Sequence, residues 1–225
     1  MKYKKILVSV IIMLAAILLV SYNYFYNQAR ESSDFKIIST NVDSSKSLPK
    51  PVDGKRALVV FFSLTKGVYE GETLPIGNTH RVANYIQENL SSDIFEIVPA
   101  TEYTSNYNEL LEVAKTELRN NSRPALKGTI PDMSQYDVVF VGGPIWWGEY
   151  PMVVRTFMDQ VDLNGKVVVP FTTHEGSGLG NTEAQLKAQY PNANVLPGIA
   201  IKGRDSASNE AKAAVKEWLQ KIGML

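Results

Sequence analysis

Cysteine is absent from this chain of 225 residues, and histidine occurs only twice. Without cysteine the chain cannot form disulfides, thiolate zinc sites or a cysteine nucleophile, and it cannot carry a lipid on an N-terminal cysteine. Two histidines are also too few for a histidine-rich metal centre. The sequence therefore predicts no metal site.

An excess of positive charge is also absent. The 23 Lys and Arg residues are balanced by 23 Asp and Glu residues, and residues 55–225 carry 16 basic and 19 acidic side chains, a formal charge of −3. Nucleic-acid binding needs a basic face that displaces counterions from phosphates. The charge pattern therefore indicates that nucleic acid is not a partner.

The first 26 residues are basic, then apolar, then aromatic. Lysines at positions 2, 4 and 5 precede residues 6–20, which are apolar except for Ser9, and four aromatic residues follow by position 26. This order predicts an uncleaved membrane anchor over residues 1–26. A cleaved signal peptide is the alternative, because the strictly apolar run is short. Both interpretations place the rest of the chain outside the cytoplasmic membrane, either as the domain of a single-pass membrane protein or as a secreted protein.

Residues 27–54 have the composition of a linker. They hold four basic and four acidic residues with many serines, few large apolar side chains, and Pro49 and Pro51 near the end. Such a segment cannot bury enough apolar surface to offset the entropy lost on ordering. We expect a flexible linker over 27–54, followed by one domain over 55–225, which is long enough for a single α/β core.

Within the domain, two kinds of hydrophobic period alternate. Short β-rich apolar runs predict strands at 57–62, 94–98, 138–141, 167–171 and 195–201. Between and after them, apolar residues at helical spacing predict helices near 82–90, 110–118, 153–161, 182–189 and 211–222. Strands that alternate with helices pair in parallel through right-handed crossovers. The predicted fold class is α/β, a doubly wound three-layer sandwich whose ligand site lies beyond the carboxyl ends of the strands.

The loop after the first predicted strand carries hydroxyl groups and opens a helix. It contains Ser63 and Thr65, then a long excursion, then Gly77, Asn78 and Thr79. Free backbone N–H groups at a helix N-terminus suit a phosphate, although a turn with an N-cap is the simpler interpretation of this short motif. Neither a Walker loop nor a dinucleotide fingerprint of glycines follows a strand, so nucleoside triphosphates and dinucleotides have no motif support.

The loops after the third and fourth predicted strands are rich in glycine. The first of these loops, 142–148, contains Trp146 and Trp147, which offer a surface for a planar ligand or for packing under a helix. The second, 172–180, contains His174 and Glu175. A zinc-protease interpretation of these two residues fails because the second histidine of the motif is missing, and no hydrolase elbow surrounds Ser177.

Together these segments resemble the flavodoxin-like FMN-binding proteins, in particular the bacterial branch with a lengthened phosphate loop. The similar segments are FFSLT, GNT, YDVVFVGGPIWWG, PMVVRTFMDQ, KVVVPFTTHEGSGLG and VLPGIAIKG, which span 56–204. The resemblance implies a five-stranded parallel sheet of order 2-1-3-4-5 and non-covalent FMN at the ends of strands one, three and four. Relative to short flavodoxins, residues 66–76 are an insertion that splits the phosphate loop.

The resemblance also implies the residues that contact FMN. The implied phosphate contacts are Ser63, Thr65, Asn78 and Thr79. The implied flavin loop, with at least one indole on the ring, comprises Gly143, Pro144, Ile145, Trp146, Trp147 and Gly148. The implied third loop comprises Thr172, Thr173, His174, Glu175, Gly176, Ser177 and Gly178. No catalytic residue is predicted, because the flavin itself carries the redox chemistry.

Three functions remain open at this point. The first is an electron-transfer protein, tethered outside the cytoplasmic membrane, that exchanges electrons with redox protein partners. The second is an FMN-dependent NAD(P)H or quinone reductase, which the fold alone does not exclude. The third is a binding module on the same fold that does not bind flavin.

Overall fold

The computed structural model describes residues 55–225. The predicted anchor over 1–26 and the predicted linker over 27–54 lie outside the described residues. Within 55–225, every helix is too short or too polar to cross a lipid bilayer.

Strands and helices alternate along the described chain as the sequence predicts. The strands are β1 (Ala57–Phe61), β2 (Asp93–Glu96), β3 (Val138–Pro144), β4 (Val167–His174), β5 (Asn194–Val195) and β6 (Ile199–Lys202). The helices are α1 (Asn78–Leu90), α2 (Tyr107–Arg119), α3 (Met152–Gln160), α4 (Thr182–Gln189) and α5 (Asn209–Lys221). Two of these helices have a side-chain N-cap: Asn106 accepts from the Glu109 N–H in the first turn of α2, and Ser208 accepts from the Ala211 N–H in the first turn of α5.

The strands form one parallel sheet of order β2-β1-β3-β4-β5, which confirms the predicted topology. The sixth strand, β6, also pairs with β4 in parallel. The sequence predicts a single strand over 195–201, whereas the structure divides it at residues 196–198 into β5 and β6. The interruption contains Pro197, which has no N–H to donate, and Gly198, where a Cβ would lie 2.7 Å from the carbonyl oxygen of Pro170.

Helices cover both faces of the sheet because alternate strand residues point to opposite sides. Leu58 and Val60 of β1 belong to a core that includes Phe157 of α3 and Leu186 of α4. On the other face, helices α1 and α5 contact each other, and the Trp218 ring of α5 lies edge-on, 5.9 Å from the Phe140 ring of β3. Burial on both faces explains why the central strands are apolar almost throughout.

This topology sets where a ligand can bind. All strands run in the same direction, so the segments that follow β1, β3, β4 and β6 meet at one edge of the sheet. The chain enters the domain at the opposite edge, where Arg56 precedes β1. The glycine-rich loops are therefore gathered at the edge that is remote from the N-terminal entry.

Candidate functional site

The loops after β1, β3 and β4 line one cavity of about 430 Å³ at the carboxyl edge of the sheet. This volume is within the range of about 300–1,000 Å³ that is usual for small-molecule sites. Most of the residues predicted for FMN lie in its wall: Ser63, Asn78, Thr79, Pro144, Ile145, Trp146, Trp147, Gly148, Thr173, His174, Glu175, Gly176 and Ser177. The structure thus brings together residues from all three predicted loops.

Four of the predicted residues are not among those that line the cavity: Thr65, Gly143, Thr172 and Gly178. The Thr172 hydroxyl is buried and donates to the Gly178 carbonyl at 3.1 Å, which fixes the shape of the third loop from beneath. The Thr65 carbonyl accepts from the Leu74 N–H at 2.7 Å and closes the base of the insertion. These two residues therefore support the loops.

The N-terminus of α1 forms the polar end of the cavity. Gly77 occupies the N-cap position and has no side chain with which to cap the helix. The Ser63 hydroxyl, in the loop after β1, accepts from the His80 N–H of the first helical turn at 3.2 Å. The remaining first-turn donors and the positive end of the helix dipole favour an anion such as a phosphate.

Two hydrogen bonds tie this helix start to the other side of the site. The hydroxyls of Thr79 and Thr173 are 2.7 Å apart, and both residues are buried. Asn78 Oδ1 accepts from the Ser206 hydroxyl at 3.0 Å, which connects α1 to the segment after β6. The first and third loops are therefore joined by a buried bond, which brings the hydroxyls of Thr79 and Thr173 side by side in the cavity wall.

The two adjacent tryptophans have different environments. The Trp146 ring is edge-on to Phe62 at 5.6 Å and to Tyr103 at 5.1 Å, and it packs against the hydrophobic core. Trp147 remains 49% exposed, and its Nε1 donates to the Leu111 carbonyl of α2 at 3.1 Å. The Lys115 ammonium lies 5.2 Å from the centre of the Trp147 ring. Trp147 is thus the more accessible of the two aromatic surfaces.

The third loop holds its ionisable side chains in defined partnerships. His174 Nδ1 accepts from the Gly176 N–H at 2.9 Å, which leaves the imidazole proton on Nε2. Burial, reinforced by the positive charge of Lys202, lowers the pKa of His174, so the neutral ring is favoured. Glu175 forms an ion pair with Arg204 at 3.3 Å.

Several wall residues were not predicted from the sequence. They come from the loop after β1, from the insertion, from α2 and from the segment after β6: Leu64, Gly67, Val68, Tyr69, Tyr107, Leu110, Leu111, Ala114 and Gly203. The rings of Tyr69 and Tyr107 meet edge-on at 5.8 Å, and burial is the main cause that raises the pKa of Tyr107. At Gly203 a Cβ would lie 2.5 Å from Glu175 Oε1 and 2.7 Å from Asn78 Nδ2, so a larger residue would displace these two side chains.

The signal for these missed residues was partly present in the sequence. Leu110 and Ala114 have helical spacing, which predicts a buried stripe of the core. Both are buried, and both also line the cavity. The tyrosine of the insertion has no periodic pattern, and its place depends on its contact with α2.

The arrangement fits FMN in its chemistry. Neutral hydroxyls and a helix N-terminus at one end suit the phosphate, and apolar and aromatic side chains with glycine-rich backbone suit a flat ring system. Within residues 55–225, no group of three or more His, Cys, Asp and Glu side chains is arranged to hold a metal ion. The wall therefore matches an organic phosphate with a planar ring.

Comparisons with known proteins agree with this chemistry. The sequence profile of the flavodoxin family matches residues 73–222. Among solved structures, a candidate flavoprotein from Bacteroides eggerthii is 32% identical with a TM-score of 0.60, over 75% of this chain and 98% of that chain. A second from Bacteroides uniformis is 30% identical with a TM-score of 0.60, over 74% of this chain and 98% of that chain.

A flavoprotein from Lactobacillus acidophilus, solved in complex with FMN, shares the fold. It is 20% identical with a TM-score of 0.53, over 67% of this chain and 95% of that chain. No curated protein matches the chain significantly. The profile match covers well over half of the chain, and together with the two Bacteroides structures it establishes the family. This protein belongs to the flavodoxin family, and that membership supports the FMN cofactor that the sequence predicts.

Proposed function

We propose that this protein is an FMN-binding electron-transfer protein that is tethered outside the cytoplasmic membrane. The observation that carries the proposal is a cavity lined by three loops, with the N-terminus of α1 suited to a phosphate at one end and the exposed indole of Trp147 in its wall. The FMN complex of the Lactobacillus acidophilus protein, which has the same fold, adds support for the cofactor. When bound, FMN supplies reversible uptake and release of electrons through its isoalloxazine ring.

The residues of the chain bind and orient the cofactor. Ser63, Asn78 and Thr79 provide the polar end for the phosphate, and Thr173 stabilises that end through its hydroxyl bond with Thr79. Trp147 provides a broad aromatic face for the ring. The backbone N–H and C=O groups of the third loop can then hydrogen-bond to the polar edge of the ring, because glycine lets them approach closely.

The cavity wall favours electron transfer over acid–base turnover. Its ionisable groups are His174, Glu175 and two tyrosines, Tyr69 and Tyr107. His174 Nδ1 is already an acceptor, Glu175 is paired with Arg204, and the pKa of Tyr107 is raised. A group poised near neutral pH to transfer a proton to a substrate is the usual mark of a turnover enzyme, and this wall gives little support for one.

The geometry is compatible with a tether. Arg56 precedes β1 at the edge of the sheet opposite the cavity, so the point at which the chain enters the domain does not obstruct the cofactor edge. A flexible linker of the length of 27–54 has a root-mean-square span of about 30 Å. Redox proteins in the surrounding compartment could then approach the exposed Trp147 and Tyr69.

The first experiment measures cofactor binding and electron transfer by the full chain in detergent. We expect one FMN to bind per chain and riboflavin, which lacks the phosphate, to bind far more weakly. The FMN-loaded protein, reduced with dithionite, should pass electrons to cytochrome c but should not oxidise NADH or NADPH continuously without a protein partner. Failure to take up FMN would exclude the proposal, and steady NAD(P)H oxidation by the protein alone would establish the reductase alternative.

The second experiment tests location. Cells expressing the full chain with a C-terminal tag are converted to spheroplasts and treated with an external protease. We expect the tag to sediment with membranes and to be digested while a cytoplasmic marker survives. A tag that is protected from the protease, or found in the soluble cytoplasm, would contradict the tethered location.

A further inference from the structure

The tryptophan loop contains a strained two-residue turn. Trp146 and Glu149 exchange two backbone hydrogen bonds, at 2.9 Å and 3.1 Å. Between them, Trp147 has φ 54° and Gly148 has φ 86°. Positive φ at both central residues is typical of a type I′ turn, which favours Asn or Gly and disfavours a bulky residue such as tryptophan. The conformation of Trp147 therefore needs support from outside the turn.

That support comes from α4. Gln185 is 7% exposed, its Nε2 donates to Glu149 Oε2 at 2.6 Å, and its Oε1 accepts from the Tyr150 N–H at 3.3 Å. The Asn181 N–H, just before the same helix, donates to the Gly148 carbonyl at 2.8 Å. A single buried amide side chain thus bonds both to the side chain that ends the turn and to the backbone that follows it.

The role requires an amide. Gln185 donates and accepts at the same time, which neither a carboxylate nor an aliphatic side chain of similar size can do. The guanidinium of Arg155 lies 3.9 Å from Glu149 Oε2 and provides its charge partner. Gln185 provides the directional hydrogen bond to the same oxygen. Loss of the amide would leave a partly buried carboxylate and a backbone N–H without this bond.

We propose that Gln185 is a positioning residue that holds the Trp147 indole in the cavity wall through Glu149 and the Tyr150 backbone. Gln185 is not itself among the residues that line the cavity. On the other side, the Trp147 indole is held by the Leu111 carbonyl of α2. The turn is therefore attached to α4 through Glu149 and Tyr150, and the indole that it carries is attached to α2. The consequence for FMN affinity rests on the proposed function, whereas the effect on the indole does not.

Two variants test the proposal. Gln185→Leu keeps the size and removes both hydrogen bonds, and Gln185→Glu keeps the acceptor but places a second carboxylate against Glu149. We expect Gln185→Leu to weaken FMN binding roughly tenfold, in keeping with the loss of a buried polar partner. We expect Gln185→Glu to be impaired at pH 8 and to recover near pH 5, where a shared proton between the two carboxyls restores the bond. Because Arg155 lies 3.9 Å from Glu149 Oε2 and the charge of Glu183 acts on the neighbouring Tyr150, the wild type is measured over the same pH range.

Matched controls are available on the same helix. Gln189 is partly buried at the last turn of α4, so Gln189→Leu and Gln189→Glu report helix effects without touching the turn. In the chain without FMN, acrylamide quenching of Trp147 fluorescence, obtained as the difference from Trp147→Phe, measures the exposure of the indole directly. We expect Gln185→Leu to increase that quenching and both Gln189 variants to leave it unchanged.

The outcomes separate the two proposals. If the wild type does not bind FMN, the proposed function is wrong, and the quenching experiment still tests the role of Gln185. If the wild type binds FMN but Gln185→Leu changes neither quenching nor affinity, Gln185 does not position Trp147. A loss of stability in urea with unchanged quenching would likewise contradict the proposal, because it would show a purely structural role.

Discussion

Replacing Gly77 by alanine tests the closest contact at the phosphate end of the cavity. A Cβ at this position would lie 2.1 Å from Ser63 Oγ and 2.6 Å from the Leu64 carbonyl oxygen. The serine hydroxyl could rotate away, but it would then release the His80 N–H that it binds. The carbonyl belongs to the main chain, so the loop after β1 must itself shift away from the start of α1.

The magnitude follows from what must move. Gly77 has φ −65° and ψ 150°, which alanine adopts freely, so the backbone conformation adds no penalty. Overpacking of this kind costs about 1–3 kcal/mol. If the loop stays in place, the cost lowers the free energy of unfolding. If the loop moves in the cofactor-free chain and must return on binding, the same cost lowers FMN affinity, by about 5- to 150-fold. The two losses together should therefore add to about 1–3 kcal/mol.

The assay combines FMN titration, followed by flavin fluorescence, with urea unfolding of the cofactor-free chain. Gly165→Ala is the control, because Gly165 precedes β4 at the opposite edge of the sheet, has φ 78° and has no atom within 4 Å of its added Cβ. It should destabilise the fold by about 1–2 kcal/mol through its left-handed backbone and leave FMN affinity unchanged. The reasoning is refuted if Gly77→Ala matches the wild type in both measurements, or if Gly165→Ala weakens FMN binding to the same degree.

Three further changes address hydrogen bonding and protonation. Thr79→Val removes the buried bond to Thr173, and urea unfolding should show a loss of about 1–3 kcal/mol with weaker FMN binding; an unchanged midpoint would argue against the bond. Burial lowers the pKa of His174, so its contribution to the free energy of unfolding should be complete above the unfolded pKa near 6.5 and should be lost as the pH falls through the lower folded pKa. NMR titration of the two histidines measures the pKa directly, and a His174 pKa at or above 6.5 would contradict this prediction. Burial raises the pKa of Glu117 although the Tyr103 hydroxyl donates to its carboxylate, so the folded protein loses stability as the pH rises through that pKa. Glu117→Gln should therefore raise the free energy of unfolding at pH 7, and equal unfolding curves of the variant and the wild type at pH 7 would disprove the prediction.

The parallel α/β sheet was predictable from patterns that are local in the sequence, whereas the order of its strands was implied by the resemblance to a known family. The runs at 57–62 and 138–141 are apolar at every position, which indicates burial on both faces, and helical spacing between the runs forces parallel pairing. The break between β5 and β6 was not predicted, although Pro197 and Gly198 stand in it. Apolar residues stand on both sides of that break, and the close approach of Gly198 to the Pro170 carbonyl adds to the missing N–H of Pro197 in interrupting the strand.

The candidate site was predictable where residues follow directly from strand ends. Thr173 lies at the end of β4, and Trp147 follows the end of β3 by three residues, so the topology brings both to the cavity edge. Tyr69 was not predictable, because an insertion has no period and its course depends on contacts with α2. The sequence could not show that Trp146 and Trp147 have different environments, because the difference goes with the positive φ of Trp147 within the turn.

The wall supplied by α2 shows why core and cofactor site are difficult to separate in a sequence. Leu110 and Ala114 are one helical turn apart and are 4% and 5% exposed, as core residues would be, yet both line the cavity. Packing and a planar cofactor make the same demand on a helix, namely apolar atoms along one stripe. The difference is energetic, because the neighbouring wall residues Tyr107 and Leu111 of α2 stay partly exposed to water in the cofactor-free chain. A ligand that covers them binds only the folded chain, so loading with FMN must raise the free energy of unfolding by RT ln(1 + [FMN]/Kd), and this coupling distinguishes a cofactor wall from a core.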